Sequence, residues 1–254
     1  MSAILSTLPA FFFVLLLAGC ASNPSVDQNL IVAAAADLSP LTDSLASLYH
    51  DETGKSLRFV IGSSGILARQ IEQGAPFDVY LSANARYVDD LVKAGKLVPS
   101  SVRHYALGRL GIWWKHGKIR DAKDLLRPEV ERIAIANPAH APYGEAARDY
   151  LQRAGIWEQL EPKLIFGENV RQAAQFATSG NADALVSSWT LVAPMGGTLV
   201  PTEAHAPIQQ AGGVLATSAH PEDARRFLRM LGEAKARTLF EEHGFGLPDS
   251  AETH

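Results

Sequence analysis

From residue 29 onward, short continuous apolar runs alternate with segments in which apolar residues recur every three or four positions. Runs of the first kind are typical of strands buried in a parallel sheet, and segments of the second kind are typical of amphipathic helices. The predicted strands are residues 30–35, 57–61, 77–81, 107–114, 132–136, 163–166, 184–186 and 208–216. The predicted helices are residues 39–48, 64–73, 84–93, 143–154, 169–179, 221–231 and 234–242.

Strands that alternate with helices predict an α/β protein with mostly parallel sheets and right-handed crossovers. Ser39 and Pro40 carry the signals for a helix start, an N-cap followed by proline at the first helical position. Sheets of this kind bind ligands at the carboxyl ends of their strands, where the N-termini of helices converge. The strand-to-helix junctions are therefore the segments in which a binding site is expected.

The first 28 residues follow a different pattern. An apolar run at 11–17 is too short to span a bilayer and suits a signal peptide, and it leads into Leu-Ala-Gly-Cys ending at Cys20, the only cysteine. This looks like a bacterial lipobox, so we expect residues 1–20 to be a lipoprotein signal peptide and Cys20 to be lipidated. A plain secretory signal is the alternative, since residues 1–10 contain no Lys or Arg. Residues 21–28 read as a short tether.

Composition and charge narrow the class of protein. The chain has 254 residues, of which 47% are hydrophobic and 20% charged, as in an ordinary globular protein. The net charge of −4 argues against nucleic acid as a partner, because phosphate binding needs a basic face. A bound anion would have to be attracted by local dipoles. With one cysteine, the chain cannot form an intramolecular disulfide.

Four strand-to-helix junctions have small or hydroxyl-bearing residues directly before a helix. They are residues 35–39, 62–65, 137–144 and 167–170. The first N–H groups of a helix have no partner within it, and the helix dipole favours negative charge at that end. Gly62 and Gly65 would let the backbone approach a ligand, and Ser63 and Ser64 would supply rotatable donors. Turn and capping roles are the alternative for each junction taken alone.

The sequences of these junctions and of the segments around them resemble those of the periplasmic molybdate-binding proteins of ABC importers. The matching phrases are IVAAAADL at 31–38, GSSGILARQIEQGAPFDVYLSAN at 62–84, IAIANPAHAPYG at 133–144 and GENVRQA at 167–173. The resemblance implies a two-lobed periplasmic-binding-protein fold of type II with the ligand between the lobes. Lobe I would comprise residues 28–107 and 208–250, and lobe II residues 108–207.

The resemblance also implies a ligand and its contacts. The ligand would be the oxyanion molybdate, with tungstate as a close substitute, held by Asp37, Ser64, Tyr143, Val170 and Ser188. Ser64 matches a serine donor, and Tyr143 and Val170 match backbone N–H donors. Ser188 stands where some members of the family have a tyrosine hydroxyl.

Asp37 departs from the family, which has a neutral donor at that position. A carboxylate beside a dianion in a dry cleft would repel it. Three hypotheses remain: the side chain caps the following turn and leaves its backbone N–H for the ligand, it is protonated, or it holds a nearby basic group. We favour the first, because Asx side chains readily bond the backbone two residues on.

The resemblance further implies an ABC permease and its ATPase as partners, a monomeric receptor on the periplasmic side, and no cofactor. Contact with the membrane would be made only by the lipid anchor. An enzyme is the main rival class, but residues 62–65 lack the Gly-x-Ser-x-Gly elbow of a serine hydrolase. A receptor for sulfate, phosphate or an organic anion is a further alternative. For His140, Arg69 and Arg171, packing or solvated surface roles are expected rather than ligand contact.

Overall fold

The computed structural model describes residues 29–248. The predicted signal peptide, the tether and Cys20 lie outside these residues. The strands are β1 (Leu30–Ala35), β2 (Leu57–Gly62), β3 (Val79–Ser82), β4 (Arg103–Gly108), β5 (Leu110–Trp114), β6 (Ile133–Ala136), β7 (Leu164–Gly167), β8 (Ala184–Ser188), β9 (Thr198–Leu199) and β10 (Ile208–Val214). The α-helices are α1 (Thr42–Thr53), α2 (Ser64–Glu72), α3 (Ala85–Lys93), α4 (Pro142–Arg153), α5 (Trp157–Leu160), α6 (Val170–Thr178), α7 (Trp189–Val192), α8 (Pro221–Met230) and α9 (Ala234–Glu242).

Two five-stranded sheets share one topology. The first has the order β2-β1-β3-β10-β4, and the second has the order β7-β6-β8-β5-β9. In each sheet four strands run in one direction, and the fifth, β10 in the first sheet and β5 in the second, runs antiparallel to them. Helices flank both sheets, which confirms the two-lobed α/β class.

Each lobe has its own buried core. The largest cluster of the first lobe includes Leu41, Phe227 and Phe240, and that of the second lobe includes Ile135 and Leu151. Strands β1 to β4 and β10 form the first sheet, and strands β5 to β9 form the second. The lobe boundaries, residues 28–107 with 208–250 and residues 108–207, stay a prediction.

The strand predicted at residues 107–114 is instead two strands. The extended segment is interrupted at Arg109, between the two strands. β4 pairs with β10 in the first sheet, and β5 pairs with β8 in the second. One apolar run therefore serves two sheets and carries the chain from one lobe to the other. The apolar pattern could not show the break, because both strands are largely buried.

The first predicted helix starts later than expected. A 3-10 helix, Ala36–Leu41, follows β1 directly and contains Pro40, and α1 begins only at Thr42. Neither helix has a side-chain cap hydrogen bond, so the prediction that Ser39 caps the helix is wrong. The carbonyl of Ser39 instead accepts a hydrogen bond from Thr42 Oγ1 at 3.1 Å.

Within residues 29–248, every helix is too short or too polar to cross a bilayer.

Candidate functional site

A small cavity of about 10 Å³ lies between the lobes. It is lined by all four of the junctions singled out in the sequence, together with one residue that follows β3. The lining residues are Ala35, Ala36, Asp37, Gly62, Ser63, Ser64, Ala83, Ala141, Pro142, Tyr143, Asn169 and Val170. Both sheets contribute the carboxyl ends of parallel strands to this lining, as expected for an α/β protein.

Three α-helices begin at the cavity. Ser64 is the first residue of α2, Val170 is the first residue of α6, and Tyr143 follows Pro142 at the start of α4. N–H groups in these positions have no partner within their helix, and the positive end of each helix dipole lies at the cavity. The cavity can therefore bind an anion without the help of a basic side chain.

Ser64 has a hydroxyl that can donate to a ligand. Its side chain is buried, and its Oγ accepts a hydrogen bond from the N–H of Ala83 at 3.0 Å. Among the described residues the Ser64 hydroxyl donates to no partner. The carbonyl of Ser64 accepts a hydrogen bond from the hydroxyl of Tyr80 in β3 at 2.8 Å, which holds the start of α2 against that strand.

The start of α6 is fixed by Asn169. The side-chain oxygen of Asn169 accepts hydrogen bonds from the N–H groups of Arg171 at 3.0 Å and Gln172 at 3.1 Å. This N-cap satisfies two of the first donors of the helix. The N–H of Val170, the first residue, is not among the donors that the cap satisfies and remains a candidate donor to the cavity.

Asp37 is fully buried, and its carboxylate bridges the two lobes. Its Oδ2 accepts hydrogen bonds from the hydroxyl of Tyr143 at 3.0 Å and from Nε2 of Gln210. The same Nε2 donates to the Tyr143 hydroxyl oxygen at 3.3 Å. The side chain is therefore held by two neutral donors, and neither the backbone two residues on nor a basic group binds it as hypothesised.

Burial raises the pKa of Asp37 from 3.8 to about 6, against the opposing effect of the hydrogen bonds from Gln210 and Tyr143 and of the nearby backbone N–H groups of Asp37 and Leu38. Burial in a medium of low polarity disfavours the charged form of a carboxyl group. Burial also raises the pKa of Tyr143 well above its ordinary value, and the Asp37 carboxylate adds to that effect. Burial thus shifts Asp37 toward the protonated form of the second hypothesis, although a pKa of about 6 leaves the carboxyl group of the ligand-free protein mostly ionised at neutral pH.

Gln210 is a site residue that the sequence analysis missed. It lies in β10, is fully buried, and its Oε1 has no hydrogen-bond partner among the described residues. A signal was present in the sequence, since two glutamines in a row within a buried strand must place one of them inside. Gln209 is the exposed one.

Ser188 does not line the cavity. Its Oγ shares a hydrogen bond of 3.0 Å with the hydroxyl of Thr190, at the start of the short helix α7. Thr190 in turn donates to the carbonyl of Asp37 at 3.0 Å. Ser188 is thus two hydrogen bonds away from the backbone of Asp37, and its placement gives it a supporting position beside the site.

The two lobes touch at Ser63, Gly65 and His140. The Ser63 hydroxyl donates to the carbonyl of His140 at 2.6 Å and lies 2.9 Å from its Nδ1, and the N–H of Gly65 donates to the same carbonyl at 3.0 Å. A Cβ on Gly65 would lie 2.7 Å from that carbonyl oxygen. Gly65 therefore permits a close contact between lobes rather than an approach to the ligand.

The charged residues of the neighbouring helices lie outside the cavity. Arg69 and Arg171 are both exposed, as expected for a solvated helix face. Within residues 29–248, no group of three or more His, Cys, Asp or Glu residues is arranged to hold a metal ion. Beside small apolar residues, the cavity lining contains hydroxyl side chains, the amide of Asn169, helix N-termini and one carboxyl group, that of Asp37.

A family model described as bacterial extracellular solute-binding protein matches residues 30–246. The molybdate-binding protein ModA of Rhodobacter capsulatus is 34% identical over 226 residues, which cover 87% of this chain and 90% of that protein. ModA of Azotobacter vinelandii is 32% identical over 91% of this chain and 94% of its own length.

Solved structures show the same architecture. The periplasmic molybdate-binding protein of Azotobacter vinelandii superposes with a TM-score of 0.80 at 26% identity, over 87% of this chain and 100% of that one. A sulfate-binding protein from Mycobacterium tuberculosis superposes with a TM-score of 0.73 at 19% identity, over 88% of each chain. At that identity the second likeness shows a shared fold alone.

Proposed function

The chain belongs to the bacterial extracellular solute-binding proteins, and from that membership we propose that it captures molybdate, and with it tungstate, for an ABC importer. The observation that carries the proposal is the convergence of three helix N-termini on a small cavity lined by hydroxyl and backbone donors. Molybdate is a compact tetrahedral dianion whose oxygens accept hydrogen bonds. Donors arranged around a cavity of this kind replace its water shell.

Binding and closure are coupled in this proposal. Ser64 comes from the first lobe, and Tyr143 and Val170 come from the second, so a ligand held by all three joins the lobes. The contact of Ser63 and Gly65 with His140 adds direct hydrogen bonds between the same lobes. The crossings between β4 and β5 and between β9 and β10 would act as the hinge.

Selectivity would follow from the size of the closed cavity. Fixed N–H and O–H donors cannot reorganise far, so an anion of the wrong size leaves some of them unpaired, which costs affinity. Molybdate and tungstate are nearly equal in size and larger than sulfate. We therefore expect the protein to bind the first two with similar affinity and sulfate more weakly.

Isothermal titration calorimetry with molybdate, tungstate, sulfate and phosphate tests the proposal. The expected result is one site that binds molybdate and tungstate with dissociation constants within about tenfold of each other, and sulfate and phosphate at least about a hundredfold more weakly. Tight binding of sulfate or phosphate with no response to molybdate would refute the proposed ligand and would leave an anion receptor of another specificity.

The receptor would deliver its ligand to a membrane permease driven by an ATPase. Several relatives are named as molybdate-binding proteins, and YvgL of Bacillus subtilis, 28% identical over 96% of this chain, has the provisional name ABC transporter substrate-binding lipoprotein. These names support the partner class. In this role the protein is a monomeric carrier that binds and releases its ligand unchanged, and it needs neither a catalytic group nor a cofactor.

Export and anchoring at Cys20 form a separate part of the proposal. The apolar run before Leu-Ala-Gly-Cys supports processing at Cys20, with the lipid holding the receptor at the periplasmic side of a membrane. Fractionation of cells that produce the full chain or Cys20→Ala tests this. The wild type should sediment with membranes and carry a lipid mass at its N-terminus, whereas equal release of both proteins into the soluble fraction would refute the anchor.

A further inference from the structure

Within residues 29–248, one oxygen of the Asp37 carboxyl group has no hydrogen-bond partner. Oδ2 accepts hydrogen bonds from Tyr143 and Gln210, whereas Oδ1 is buried and has no hydrogen-bond partner among the described residues. Asp37 also lines the cavity in which the oxyanion would bind. A buried carboxyl oxygen without a donor is costly if it is charged, and it demands an explanation.

A dianion in this cavity makes the ionised form of Asp37 still less favourable. Two negative groups a few ångströms apart in a dry site repel each other strongly unless a cation compensates them. The ionisable groups that interact electrostatically with Asp37 are the hydroxyls of Tyr105 and Tyr143, and the pKa of each is raised well above its ordinary value, first of all by burial. Neither is a cation.

The elements around Asp37 provide no charge that could substitute. The 3-10 helix that carries Asp37 packs against α1, α6, α7, β1 and β2. The basic residues of these elements and of α4, which carries Tyr143, are His50, Arg58, Arg148, Arg153 and Arg171. All of them are exposed to solvent, whereas Asp37 is fully buried. A proton is therefore the simplest compensating charge available inside the cavity.

We propose that Asp37 binds the oxyanion as a carboxylic acid, with a hydrogen on Oδ1 donated to a ligand oxygen, so that one proton enters with each molybdate ion. This inference rests on the proposed function and assigns Asp37 the donor role that a hydroxyl side chain would otherwise fill. The proton comes from solvent on binding and returns to solvent on release, and no covalent bond to the ligand forms.

The direction of the pH dependence follows from the environment of Asp37. Burial raises the pKa of Asp37 to about 6 before any ligand is bound. Near pH 7 to 8 the Asp37 carboxyl group of the ligand-free protein is therefore mostly ionised. A dianion beside the carboxyl group raises that pKa further, and binding in this range then takes up a proton. The affinity should fall by up to about tenfold for each pH unit above 6.

The same donor would add to selectivity. A carboxylic acid forms a stronger hydrogen bond with a more basic oxygen, and molybdate is a stronger base than sulfate. Size and basicity would therefore discriminate in the same direction. An ionised carboxylate would instead weaken the binding of every dianion and would not favour the more basic ones.

Calorimetric titration with molybdate tests the inference on the wild type, Asp37→Asn and Asp37→Ser. Each protein is titrated between pH 6.5 and 8.5 in buffers of different protonation enthalpy, because the dependence of the measured heat on the buffer gives the number of protons taken up. The wild type should take up close to one proton at pH 8 and lose affinity as the pH rises. Both variants carry a neutral donor, so they should bind with no proton uptake and with an affinity that does not change with pH.

The outcomes separate this inference from the proposed function. Molybdate binding by the wild type with no proton uptake and a constant dissociation constant would overturn the role of Asp37 and leave the receptor function intact. Equal proton uptake by the wild type and by either neutral variant would also overturn it, because another group would then carry the proton. If the wild type bound no molybdate at any pH, the proposed function itself would be refuted.

Discussion

Ser64 is the residue whose position and chemistry agree most directly with the role expected from the sequence. Its hydroxyl oxygen is occupied as an acceptor from Ala83, which orients the side chain, and its hydrogen is available for a ligand. The Gly-Ser-Ser-Gly motif before a helix predicted rotatable donors at this junction, and the resemblance to molybdate-binding proteins selected Ser64 among them. Gln210 shows the limit of such reasoning, because its role depends on contacts with Asp37 and Tyr143, which are distant in sequence.

Ser64→Ala should weaken molybdate binding by roughly 1.5–3 kcal/mol, because it removes a buried hydrogen bond to a charged ligand. The dissociation constant should rise correspondingly, by about 10- to 150-fold. Ser101→Ala is a matched control, since Ser101 is also buried and bonds backbone groups at 2.6 and 2.9 Å, but lies outside the cavity. Calorimetry should show a large loss of molybdate affinity for Ser64→Ala and little change for Ser101→Ala. Equal affinities of the two variants would show that Ser64 does not bind the ligand.

The stability of the ligand-free protein should also report on Asp37. Its pKa is raised from 3.8 to about 6 by burial, so the folded state holds the proton more tightly than the unfolded state. The resulting stabilisation is complete below pH 3.8 and is lost as the pH rises through 6. Relative to Asp37→Asn, the wild type should therefore lose roughly 2–3 kcal/mol of unfolding free energy between pH 4 and 7.

Urea denaturation at several pH values measures this difference, and Asp183→Asn supplies a control of opposite sign. The burial of Asp183 is outweighed by Lys115 and by the N–H groups of Arg132 and Glu131, so its pKa is lowered and its contribution is lost as the pH falls. A wild-type stability that tracks Asp37→Asn at every pH would show that Asp37 does not titrate as described.

At the scale of elements, the starts of the helices are more informative than their lengths. The pattern of Asn169 before an amphipathic segment predicts the start of α6, and the structure has Asn169 as the N-cap with two hydrogen bonds. The start of α1 was mispredicted, because the chain continues from β1 into a 3-10 helix that contains Pro40. Capping residues act locally and can be read from sequence, whereas a 3-10 segment depends on the packing of the strand end.

Gly65→Ala should disturb the contact between α2 and the loop that precedes α4. The new Cβ would lie 2.7 Å from the backbone oxygen of His140 and 2.7 Å from the hydroxyl oxygen of Tyr87, and the backbone atom cannot move aside without its loop. We expect at least about a tenfold loss of molybdate affinity, equivalent to about 1.4 kcal/mol, because the closed arrangement becomes strained.

Gly232→Ala is the matched control for this change, since its Cβ would meet only the carbonyl of Arg229 at 3.4 Å. Calorimetry on both variants compares the affinities, and thermal unfolding without ligand checks that each variant folds. Wild-type affinity in Gly65→Ala would show that this contact between lobes does not contribute to ligand capture.

At the scale of the whole molecule, two sheets with equivalent strand orders place equivalent ends against each other. The carboxyl ends of β1 and β2 meet those of β6 and β7 at the cavity, and so bring together junctions that are more than 70 residues apart. The alternation of strands and helices was enough to predict the class. The division into lobes came from resemblance, because an apolar run such as that of β4 and β5 gives no sign of which sheet its residues join.

The central claim is that molybdate binds between the lobes at the converging helix N-termini, and anomalous X-ray diffraction tests it most directly. Crystals of the protein grown with molybdate and measured at the molybdenum absorption edge would show the metal position independently of any assumption about the site. We predict one dominant anomalous peak inside the cavity bounded by Ser64, Tyr143 and Val170, with Asp37 beside it. A molybdenum peak elsewhere with this cavity empty, in crystals that contain bound molybdate, would contradict the account.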